Sequence, residues 1–173
     1  MKKITTHKLA FCAMAVALDV LLTRVLAFNT PVMKIGLGFV AIAVCGAVYG
    51  PVPGAVCGAL GDITGSLLFP TGAYFPGFTL TAALTGLIFG LLLRPFSRPK
   101  AAAAGSANSV LVSFLANTYM ISYISGSPFS KLLSARAVQL AVMVPLQICC
   151  LMFAVPAILR AVEKIKSRDE NRR

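Results

Sequence analysis

The chain is a succession of apolar stretches cut by short breaks rich in proline and glycine. Runs of roughly 17 residues or more recur along most of its length, close to what is needed to cross the hydrocarbon of a bilayer. That feature narrows the folds available more than any other. A backbone in hydrocarbon must pair its own polar groups, and a continuous apolar run does so as a helix. Only 12% of the residues are charged, against about 25% in an ordinary soluble domain. The expectation is an all-α membrane protein.

The breaks divide the chain into six helices: about Leu9 to Ala27, Ile35 to Tyr49, Pro51 to Phe69, Gly77 to Leu93, Ala107 to Ser125, and Leu132 to Val162. Pro145 and Pro156 are expected to bend the last. The links are "FNTPVMK", "GPVPG", "LLFPTGAYFPGFT", "RPFSRPKAAAAG" and "GSPFSK". We read residues 1–173 as a single six-helix transmembrane domain with a basic tail at about 163–173. The N-terminal stretch looks like a signal peptide at first sight. Its apolar part is too long, and Asp19 and Arg24 interrupt it, so it reads as the first spanning helix.

The formal net charge of +11 invites a nucleic-acid reading. Twelve of the sixteen basic residues fall in three groups: Lys2, Lys3 and Lys8; Arg94, Arg98 and Lys100; and Arg160, Lys164, Lys166, Arg168, Arg172 and Arg173. Apart from Phe96, no aromatic is interleaved with them, against the pattern of nucleic-acid binding. Flanking basic clusters instead mark the cytoplasmic side of a membrane protein. All three groups share one side if six helices precede the tail, which puts both termini in the cytoplasm. The second link then faces inward without a basic residue.

Cys12, Cys45, Cys57, Cys149 and Cys150 lie within apolar runs, without a C-x-x-C spacing. No metal, disulfide framework or cofactor is expected, and the thiols read as small hydrophobes. Catalysis is not expected either. His7 is the only histidine, three of the five acids lie in or near the tail, and no Walker A sequence occurs. No inverted repeat of broken helices appears.

Several groups do not belong in hydrocarbon. A mid-membrane charge costs about 2.5–3.5 kcal/mol on insertion scales, yet Asp19 and Asp62 sit near the middle of their helices. Gly54, Gly58, Gly61 and Gly65 form a stripe on the third helix, answered on the fourth by Thr79, Ala82, Ala83, Gly86 and Gly90. Such stripes allow close helix approach in lipid. Arg136, Gln139, Met143 and Gln147 share a face of the last helix, and Ser113 and Asn117 share one on the fifth. These faces read as the lining of an outward-facing cavity. The uncharged link at 67–79 supplies aromatic Tyr74, Phe75 and Phe78. Rings that stack, amides that read ring edges and an arginine that takes a carboxylate suit a flat heteroaromatic acid.

The run "GDITGSLLFPTGAYFPGFTLTAALTGLIFGLLL", with "LTRVL", "NTPVMKIGLGFV" and "SARAVQLAVMVPLQI", resembles the folate-specific S component of energy-coupling factor (ECF) vitamin transporters. The resemblance covers nearly the whole chain and implies a substrate-binding subunit, not an enzyme, in a bacterial cell membrane. It implies capture of extracellular folate or reduced folate under the loops after helices 1 and 3. It implies delivery with a membrane scaffold subunit and two ATPase subunits. By position it makes Arg24, Lys34, Asp62, Tyr74, Phe75, Phe78, Asn117, Arg136 and Gln139 ligand contacts. It makes Ala13 and Ala17 of an A-x-x-x-A motif the scaffold-docking face. Asp19 stands where a neutral residue is expected, and "NTYMISYISG" departs from a tryptophan- and leucine-rich fifth helix. Riboflavin, thiamin or a pantothenate-like vitamin are alternative ligands. A small membrane enzyme or scaffold is the alternative of another class.

Overall fold

The computed structural model describes residues 6–29, 34–70 and 74–170. Six continuous helical rods account for nearly all of them. Helix α1, Thr6–Val20, runs on as a π-helical turn over Leu21–Val25. A minimal antiparallel hairpin follows, β1 Phe28–Asn29 paired with β2 Lys34–Ile35 in the register Phe28 to Ile35. Helices α2 (Phe39–Tyr49), α3 (Pro51–Leu68) and α4 (Pro76–Leu92) come next. Helix α5 is α-helical over Arg98–Ala107, π-helical over Asn108–Ala116 and α-helical again over Asn117–Ser125. Helix α6, Phe129–Glu170, runs as one helix through Pro145 and Pro156.

Helix α6 runs on to Glu170, past the expected end at about Val162, and two further boundaries differ from expectation for local reasons. The basic link after α4 turns helical from Arg98, because Pro99 suits a helix start and the alanine run has the highest helix propensity. Helix α2 starts at Phe39 and not at Ile35, because residues 34–35 pair in the hairpin.

Apolarity on every face makes α2 the central helix, with Ala41 to Ala47 all buried. Phe39 packs against Phe89, with Leu93, Leu151 and Val155 completing the core. Outside, large apolar side chains such as Met14, Leu67 and Phe153 are exposed. An apolar exterior of that kind matches lipid, not water. By length and composition α6 can cross a bilayer unaided, over Phe129–Lys164, while α2 and α4 are apolar but shorter.

Gly50, at φ 98°, makes the one-residue turn from α2 to α3, a left-handed conformation open to glycine. The glycine stripe of α3 divides between two neighbours. A methyl on Gly54 or Gly58 would meet the α4 backbone at Gly86 or Ala82. One on Gly61 or Gly65 would meet Asp19 or Arg24 of α1 instead. The stripe thus serves helix packing at one end and houses charged side chains at the other.

The described residues of the three basic groups collect at one end of the bundle. Lys8 lies 5.8 Å from the Tyr49 ring, Phe11 packs edge-on against the same ring, and Arg94 lies beside Gly50. The opposite end gathers the π-turn of α1, the hairpin, the α3–α4 link and the junction of α5 and α6.

Candidate functional site

Two polar clusters occupy that opposite end. The first joins α1, α3 and α4. Arg24, on the π-helical turn, reaches α3, where Nη2 donates to Ser66 Oγ at 2.8 Å and pairs with Asp62 Oδ1 at 3.5 Å. Asp62 Oδ2 accepts from Thr79 Oγ1 at 2.8 Å. Thr79 has one hydroxyl proton and gives it to Asp62, so Tyr74 donates its phenol proton to Thr79 at 2.8 Å. Both charged side chains are largely shielded, at 9% and 17% exposure. The absence of a side chain on Gly65 makes room for Arg24, since an added Cβ would lie 3.0 Å from its Nε. One turn back along α1, buried Asp19 accepts from Thr23 Oγ1 at 2.9 Å and lies against Gly61 and Gly38. The expected mid-membrane acids are therefore both partnered.

The second cluster joins α5 and α6. Arg136 is 4% exposed. Its Nε donates to Gln139 Oε1 and its Nη1 to Thr118 Oγ1, both at 3.2 Å. Among the described residues no carboxylate lies within ion-pair distance of this guanidinium. The other membrane-embedded acids, Asp19 and Asp62, are held in the first cluster. Deeper along the same face, Gln147 Oε1 accepts from Ser109 Oγ at 2.9 Å and Asn108 Nδ2 at 3.3 Å. Asn117 Oδ1 and Asn108 Oδ1 are buried without a hydrogen-bond partner among the described residues. Buried acceptors are almost always paired, so these two oxygens stand out among the described residues. A hollow of about 10 Å³ lies between Arg136, Gln139, Met143, Ser109, Ser113 and Phe114. That is room for about one water. The stripe of α6 is therefore closed against α5 rather than lining an open cavity.

Aromatic side chains cap this end. Phe75 lies edge-on to Phe78 at 6.1 Å and tilted against Tyr123 of α5 at 6.4 Å. Tyr74 is exposed. Lys34 pairs with Asn29 in the hairpin, and β2 packs beside α6. The tip of the α3–α4 link, residues 71–73, and residues 30–33 of the first loop lie outside the described residues. Ala13 and Ala17 are exposed on the outer face of α1, near its middle, beside exposed Met14 and Leu18. A larger cavity of about 310 Å³ opens at the basic end, among Phe96, Arg98, Met152, Leu159, Arg160 and Glu163. It lies away from both polar clusters.

Thr118 escapes a periodicity search because the middle of α5 is π-helical, while Ser109 stands one α-helical turn before Ser113. An α-helix puts Asn117 in line with Ser113 at i+4. The wider turn, with the Asn117 N–H bonded to Val112 O, brings the i+5 residue, Thr118, to Arg136 instead.

Residues 3–163 match the family model described as "ECF-type riboflavin transporter, S component". The folate transporter FolT of Clostridium novyi (strain NT) is 34% identical over 148 residues, which is 84% of this chain and 85% of that protein. FolT of Leuconostoc mesenteroides is 34% identical over 89 residues, 51% of this chain and 48% of that one. A crystal structure of FolT bound with folic acid superposes with a TM-score of 0.83 at 25% identity, covering 89% of this chain and 97% of that one. The chain therefore belongs to the S-component family of ECF-type transporters, membrane-embedded substrate-binding subunits and not enzymes.

Proposed function

We propose that this S component binds folate or a reduced folate at the end of the bundle where Arg136 lies, and hands it to an ATP-driven ECF module. The observation that carries the reading is a buried guanidinium without a carboxylate. A desolvated cation is costly until an anion joins it, and a folate's glutamate carboxylates meet that need in a two-pronged pair. Gln139 and Asn117 supply hydrogen bonds to the ring or its tail, and Phe75, Phe78 and Tyr74 cover the pterin. Lys34 of the hairpin joins the ligand contacts, and the Arg24–Asp62 pair holds α1 and α3 in place beside the site. The closed hollow of about 10 Å³ calls for α5, α6 and the two loops to part as the ligand enters.

In this reading residues 1–173 form one domain in the bacterial cell membrane. The basic end, with both termini, faces the cytoplasm by the positive-inside rule. The loops after α1 and α3 then face outward. The exposed alanines Ala13 and Ala17 offer a flat helix face for close approach of a membrane scaffold helix, and two ATPase subunits act through that scaffold.

Riboflavin is the second reading, favoured by the description of the family model. It has no carboxylate and leaves Arg136 uncompensated. Calorimetric titration of purified protein with folic acid, 5-formyltetrahydrofolate and riboflavin separates the two; the chain has no tryptophan, so quenching of intrinsic tryptophan fluorescence is not an option. Tight folate binding with weak riboflavin binding is expected, and the reverse order overturns the assignment. Replacing Ala13 and Ala17 with leucine should abolish uptake in cells while leaving folate affinity intact. Loss of affinity would make them packing residues.

A further inference from the structure

At the basic end of the bundle, far along the chain from one another, three thiols meet. We propose that Cys12 of α1, Cys45 of α2 and Cys57 of α3 form a binding site for a soft divalent d10 cation such as Cd(II) or Zn(II), held by three thiolates.

Cys45 Sγ lies 3.1 Å from Cys57 Sγ and 3.7 Å from Cys12 Sγ, and all three sulfurs are within 4.8 Å of one another. A metal–sulfur bond of about 2.3 Å at trigonal or tetrahedral angles puts its sulfurs about 3.8–4.0 Å apart. The two measured spacings fall within about 0.9 Å of that range and the third is under 4.8 Å, so shifts within side-chain reach bring all three onto one ion. Three separate helices supply the ligands, so the triangle comes from the bundle and not from a local turn. Cys45 and Cys57 are buried, while half-buried Cys12 leaves a route in.

The donor set selects the ion. Thiolates favour soft cations and offer nothing to Mg(II) or Ca(II). The surrounding wall is largely apolar, built from Ala15 and Val16 with Tyr49, and the Asp19 carboxylate lies against Gly61, one turn along α3 from Cys57. Binding breaks three S–H bonds, sends three protons to water and forms three S–metal bonds, with no change in oxidation state. A divalent ion with three thiolates carries one net negative charge. Lys8, over the Tyr49 ring that packs on the cluster, provides a nearby counter-charge. A bound ion would tie α1 to α2 and α3 beside the face that carries Ala13. The inference does not depend on which vitamin binds at the other end.

The test uses reduced, detergent-purified full chain in which the outlying pair is removed by Cys149→Ser and Cys150→Ser. Cd(II) should bind one ion per chain, with a thiolate-to-metal charge-transfer band and proton release, and Mg(II) should produce neither. In that background Cys12→Ser, at the half-buried corner, should weaken Cd(II) at least tenfold with helical content unchanged. Cys45→Ser and Cys57→Ser should remove the band. A band that survives all three substitutions, or no band in the background protein with its thiols confirmed free by mass spectrometry, overturns the proposal.

Discussion

Arg24 and Arg136 sit at the same end of the same bundle, and their surroundings are opposite. Arg24 faces Asp62, and a hydrogen-bonded chain through Ser66, Thr79 and Tyr74 ties the pair to three helices. Arg136 is more deeply buried and, among the described residues, has only the neutral oxygens of Gln139 and Thr118. The difference separates two uses of charge in an apolar bundle. A paired charge with its lone pairs satisfied positions helices. A desolvated charge left unpaired is costly to the bundle, and in the proposed reading that cost is met by an anion from outside. The glycines follow the same division: Gly61 and Gly65 open space for the charged side chains of α1.

Breaking the comparison at Arg136 should produce the largest effect. Arg136→Met should weaken folate binding by roughly a hundredfold, the about 2–5 kcal/mol expected when one member of a buried charge pair is lost. Its thermal unfolding without ligand, followed by circular dichroism, should hold or rise, because a desolvated cation has been removed. A large fall in unligated stability would mean that Arg136 is structural.

At the first cluster the signs reverse. Asp62→Asn leaves Arg24 without its carboxylate and should cost about 2–3 kcal/mol of stability, toward the low end for a shielded pair because one partner is 17% exposed. Joining it with Arg24→Met should recover most of the loss. Failure to recover would show that the pair does not act as a unit.

Thr79→Val should have the smallest effect. It removes the donor to Asp62 and the acceptor for Tyr74 at nearly constant volume, for about 1 kcal/mol of stability. Folate affinity should change less than in Arg136→Met. Equal losses of affinity would place Thr79 and Asp62 on the ligand and erase the distinction between the clusters.

The same contrast bears on what could be read in advance. The polar face of α6 follows a 3.6-residue period and is visible in one dimension, so Arg136, Gln139 and Gln147 appear on one face before any coordinates. Asp62 is conspicuous for its cost in hydrocarbon, but its partner is 38 residues away, across a helix and two links. Thr118 is hidden by a π-helical stretch that shifts the face of α5 by one residue. The cysteines, 33 and 12 residues apart, match no spacing rule because their meeting depends on three helices at once.

The amino-acid order alone determined that the chain is helical, where its rods break, and that most basic residues fall in three groups beside the runs. Each of these follows from interactions within a few residues: backbone pairing in an apolar medium, proline and glycine at the breaks, basic residues beside the runs. Tertiary packing decided which arginine found a carboxylate, which half of the α3 glycines faced α1, and how tightly α5 closes on α6. Those outcomes depend on distances between segments remote in the chain, and no local period encodes them.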